Sequence, residues 1–79
     1  MKNNILCKFI NNDPDFLDLC VKNLQDDSVI ILTYGKICGM WNGFREDDSR
    51  ISEYETYWML EYPEVQHILG IINFYNLDF

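Results

Sequence analysis

Three cysteines, Cys7, Cys20 and Cys38, and a single histidine, His67, are the side chains best suited to nucleophilic or metal chemistry in this chain. Together they make a Cys3His set on paper. Structural zinc sites, however, draw their ligands in closely spaced pairs, and here each cysteine stands alone without a C-x-x-C step. An odd count also fails as a secreted disulfide framework. The thiols are therefore expected to be reduced, mostly buried, and to behave as small hydrophobes. A Cys–His nucleophile would need His67 beside one of them, and nothing in the spacing brings it there. Glu64-x-x-His67 matches one half of the helical di-iron motif, but that site needs two copies and further glutamates on a four-helix bundle. Glu46-Asp47-Asp48 lacks the alternating spacing of a calcium loop, and the glycine motifs of phosphate cradles and nucleophile elbows do not occur. The Glu53/Glu55 pair has the chemistry for acid–base work, although such pairs arise readily in any acidic strand. The expectation is a chain with no cofactor, no metal site and no catalytic activity.

The elements that would carry these residues follow from periodicity and turn signals. Ile5, Cys7 and Phe9 alternate within residues 4–10, a first strand. Asp13 and Pro14 read as a helix cap and first helical position, and Leu17, Cys20, Val21 and Leu24 recur at i, i+3, i+4, i+7, which predicts a helix over residues 14–25. Asp18 and Lys22 would pair on its wet side. Val29 to Tyr34 is apolar on both faces, as a central strand would be. Gly35-Lys36 then predicts a two-residue hairpin, a third strand follows from Ile37 to Trp41, and Asn42-Gly43 signals another tight turn. From Ser52 to Tyr62 the alternation of Tyr54, Thr56, Trp58, Leu60 and Tyr62 against Glu53, Glu55, Tyr57, Met59 and Glu61 predicts a fourth strand. Pro63 opens a helix with Val65, Ile68, Leu69 and Ile72 as its buried stripe, at a cost of about 1 kcal/mol for Gly70. The expected fold is α+β: residues 1–79 as one domain in β-α-β-β-β-α order, an antiparallel or mixed four-stranded sheet with two helices on one face.

Charge is the most informative feature. Thirteen acidic residues oppose six basic ones, for a net charge of −7, a balance that repels nucleic acid and anionic membranes. Residues 1–45 are neutral overall, whereas residues 46–64 carry seven acids against Arg50 alone. No apolar run reaches the length of a membrane span, and Lys8 interrupts any leader-like stretch at the N-terminus, so a cytoplasmic protein is expected. A solvated strand edge, kept charged against aggregation, accounts for such a cluster without any partner. The functional reading is a docking face for a basic protein, in which Glu46, Asp47, Asp48, Glu53, Glu55 and Glu61 steer and Tyr57 anchors.

That face would occlude the phosphate-binding groove of a nuclease or another nucleic-acid-binding protein. Phage-encoded inhibitors of host defence nucleases and immunity proteins against toxins share this size and acidity, an analogy of size and charge only. If phage-encoded, the chain would act in the host cytoplasm. The absence of alanine beside abundant Ile, Asn, Tyr and Phe fits an AT-rich genome of a low-GC bacterium or a phage. The alternative reading is a self-associating structural or assembly module, a homo-oligomer joined through Phe74, Tyr75, Leu77 and Phe79.

Overall fold

The computed structural model describes residues 4–74. Four strands, β1 (Ile5–Asn12), β2 (Phe16–Asn23), β3 (Val29–Gly35) and β4 (Met40–Arg45), precede two helices, α1 (Glu53–Met59) and α2 (Pro63–Phe74). The fold is α+β, and the sheet is a fully antiparallel meander in the order β1-β2-β3-β4. The order of elements is therefore ββββαα, and the exchange occurs at two places. Residues 14–25, expected as a helix, contain β2, and residues 52–62, expected as a strand, contain α1.

Asp13 does accept backbone hydrogen bonds, but in a turn rather than at a helix end. Its Oδ1 takes the N–H groups of Asp15 (2.9 Å) and Phe16 (2.7 Å), closing the β1–β2 hairpin. An Asx turn and a helix N-cap use the same side-chain chemistry, so the residue alone does not decide between them. What decides is the face that results. As a strand, residues 16–23 bury Leu17, Leu19 and Val21 completely or nearly so, a stricter apolar set than the helical spacing offers. Asp18 and Lys22 then stand too far apart to pair; Lys22 lies 3.8 Å from Asp27, and Asn11 reaches Asp18.

The inner face of the sheet, with Leu17, Leu19, Val21 and Leu32 at its centre, packs against Leu60, Val65 and Ile72 from the two helices. Ile5, Cys7, Ile30, Tyr34 and Trp41 extend this layer outward. Both helices lie on that one face, α1 against β4 and α2 against β1. On the opposite face Lys8, Cys20, Ile31 and Phe44 align across the strands.

β3 and β4 are joined by four residues, not two: Gly39 donates its N–H to Gly35 O (2.7 Å) and takes a φ of 70°, the left-handed conformation that glycine tolerates. Asn42-Gly43 is no turn; it lies inside β4. After β4 the chain reverses through residues 45–49 and runs back along the strand, with a bridge between Phe44 and Arg50 and a bond from Ile51 N–H to Gly43 O (2.9 Å). This return closes the middle of the β4 edge. The β1 edge keeps its outer side unpaired among the described residues, interrupted by a bulge between Phe9 and Asn11.

Candidate docking surface

α1 begins at Ser52, whose extended backbone and hydroxyl form a cap: Glu55 N–H donates to Ser52 Oγ at 3.0 Å. The Ser52 hydroxyl in turn lies 3.3 Å from Glu55 Oε1, so Ser52 and Glu55 form a reciprocal S-x-x-E pair. Thr56, Met59 and Leu60, at i, i+3 and i+4, turn inward, and Thr56 is buried with its hydroxyl bonded to Ser52 O (2.9 Å). That inward stripe fixes what the outward face must present.

The outward face gathers Glu53, Tyr54, Tyr57, Trp58 and Glu61 around a shallow groove of about 670 Å³. Glu53, Tyr57 and Glu61 follow one another at i, i+4, i+8, with Tyr54 and Trp58 beside them at i+1 and i+5. The Tyr54 and Trp58 rings stand with centroids 6.4 Å apart and planes tilted by 38°. Their exposures are 79% and 57%, and Tyr57 is 42% exposed. Three large aromatic side chains left in water on one short helix, with no basic residue lining the groove, form the kind of patch that marks an interaction surface.

Not all of the expected docking residues meet there. Glu53, Tyr57 and Glu61 do. Glu55, expected on the same face as Glu53, points to the cap side and lines a separate depression with Met59, Tyr62 and Ile30. Glu46, Asp47 and Asp48 lie in the turn after β4. Asp47 Oδ1 accepts from the Ser49 hydroxyl (2.6 Å) and the Ser49 N–H (2.9 Å), which holds its carboxyl below the usual carboxylate range. Asp48 adopts a φ of 69°. Asp47 and Asp48 are thus turn-formers, and Glu46 and Asp47 border a different hollow beside Arg45. Tyr54 and Trp58 join Tyr57 on this exposed face because α1 is a helix; strand alternation sets them opposite Tyr57. The S-x-x-E pair at Ser52 and Glu55, followed by Thr56, Met59 and Leu60 at helical spacing, was the signal for the correct face.

The second noteworthy cleft brings together residues that spacing had kept apart. Cys7, Glu64 and His67 line one hollow with Ile5, Leu6, Pro63 and Ile68. Burial, then Cys20, then the nearby Glu64 push the Cys7 thiol up to about 11. A thiol so protonated at neutral pH is a poor nucleophile. Glu64 Oε1 is buried there without a hydrogen-bond partner among the described residues. Cys20 is half-buried on the outer sheet face and Cys38 is exposed, so the thiols are less buried than expected. Among the described residues no cluster of three His, Cys, Asp or Glu side chains is arranged to hold a metal ion, and no helix is long and apolar enough to cross a membrane.

No protein-family model, curated protein or solved structure matches the chain. The functional reading therefore rests on the geometry of α1 and on the distribution of charge.

Proposed function

We propose that the chain is a non-catalytic interaction protein that docks a basic partner through the outer face of α1. The observation that carries this reading is the groove of Glu53, Tyr54, Tyr57, Trp58 and Glu61, in which exposed aromatic rings and carboxylates share one surface without a neutralising base. The carboxylates accelerate encounter with a positive surface, and the rings supply area that is desolvated on contact. The best-fitting partner is a nucleic-acid-handling protein such as a nuclease, whose phosphate groove is basic. Carboxylates held against that groove block it, which makes the chain an inhibitor by occlusion, acting in the cytoplasm. An inhibitor of phage origin directed at a host defence nuclease, or an immunity protein, fits the size and acidity.

The test begins with immobilised wild-type chain and a Glu53→Lys/Glu61→Lys variant exposed to the same bacterial lysate. A protein retained by the first and not by the second is then purified and assayed for nucleic-acid binding. The expected result is a basic protein whose nucleic-acid binding falls in the presence of wild type and is unaffected by the variant, with association slowing as salt rises. Retention that ignores both the charge reversal and salt removes α1 as the docking face. Both positions are exposed, so the reversal is expected to leave folding nearly unchanged.

A further inference from the structure

We infer that the α1 groove seats arginine side chains of the partner, two of them on an extended segment and four residues apart. This rests on the docking reading and narrows it to a ligand chemistry. Acidic residues alone attract any cation. The Tyr54 and Trp58 rings beside them, 6.4 Å apart and tilted by 38°, add a requirement that lysine meets poorly. A guanidinium is planar and weakly hydrated, stacks on an aromatic face, and keeps its N–H edge free to donate to a carboxylate; an ammonium is a strongly hydrated point charge. Rings and carboxylates line the same groove here, so stacking and pairing are satisfied together.

The groove also sets a spacing. Glu53 and Glu61 are eight residues apart, six steps along α1 and two through the cap and turn that follow it. A helical rise of about 1.5 Å per residue over the helical part, extended by the turn, puts their backbones roughly 10–12 Å apart. An extended chain advances about 3.3 Å per residue, so side chains at i and i+4 leave the same side about 13 Å apart. One arginine then meets Glu53 and Tyr54, and the other meets Trp58 and Glu61.

Seven-residue peptides, too short to hold a helix, separate these elements when titrated calorimetrically into the full chain. One carries arginines at i and i+4, a second carries them at i and i+2, and a third carries lysines at i and i+4, in the same neutral background. Trp58 emission in a Trp41→Phe chain gives a second readout. The first peptide is expected to bind about fivefold more tightly than either of the others. A Tyr54→Leu/Trp58→Leu chain, altered only at exposed positions, is expected to lose the arginine preference and keep the salt-sensitive remainder. Equal affinity for arginine and lysine, or for the two arginine spacings, overturns the arginine seat while leaving docking by charge intact. If no peptide binds at millimolar concentration the seat is overturned outright, and the lysate experiment decides the docking reading by itself.

Discussion

Ile51 lies directly against the backbone of β4, and Gly43 is what makes the room. A methyl group on residue 43 would stand 2.6 Å from Ile51 Cδ1, 2.7 Å from Cγ1 and 3.2 Å from Thr56 Oγ1. Ile51 is only 4% exposed and has little freedom to yield. Gly43→Ala is therefore expected to destabilise the protein by about 1–3 kcal/mol, the usual range for overpacking. Urea unfolding would show a lower midpoint with an unchanged slope. Ile51→Val removes Cδ1, so the double variant should recover part of the loss, a coupling that distant substitutions would not show. The same residue shows why local sequence signals mislead: Asn-Gly advertises a turn, but glycine also serves where two segments approach closely, and only the return of residues 50–51 tells the two uses apart.

At the level of whole elements, α1 is short and depends on its cap, whereas α2 carries a removable weakness. Ser52→Ala deletes the acceptor for Glu55 N–H and is expected to cost about 1 kcal/mol. Gly70 has open space where a side chain would sit, so Gly70→Ala in α2 is expected to stabilise by a similar amount, about 0.5–1 kcal/mol. Thermal unfolding of the two single variants should move in opposite directions from wild type. The strands β1 and β3 and the helix α2 were legible because each has one dominant pattern or a proline start. β2 and α1 were not, because each satisfies two periodicities. Leu17, Cys20, Val21 and Leu24 fit a helix, yet Leu17, Leu19 and Val21 fit a strand, and pairing with both β1 and β3 decides the matter. Tyr, Thr and Trp favour strands in isolation, but with Ser52 capping, burial of Thr56 and Leu60 outweighs that preference. The candidate site inherited the error: three of its residues survive together because Glu53, Tyr57 and Glu61 share a face in either periodicity, while Glu55 does so only in a strand.

For the molecule as a whole, pH acts from both sides. Hydrogen bonds, led by the Phe16 N–H at Asp13 and by the Ser28 and Ser49 side chains at Asp26 and Asp47, hold all three carboxyls below 3.8. The stability they contribute is present above that value and is lost as pH falls through their folded values. Cys7 is shifted in the other direction, from 9.0 to about 11, so its contribution is complete below pH 9 and fades as pH rises toward 11. Thermal midpoints of wild type and Cys7→Val, measured at pH 8 and 10.5, should diverge, with wild type losing more. With a net charge of −7 and an isoelectric point near 4.3, solubility should pass through a minimum at that pH, above the range in which the hydrogen-bonded aspartates protonate. The return of Arg50 and Ile51 along β4 has a consequence of another kind. Among the described residues it leaves the sheet a single wholly open flank, that of β1. Strand pairing between copies is therefore favoured through β1, and the partly closed β4 edge offers a shorter stretch for any further link, which works against the open chain of contacts that builds a fibre.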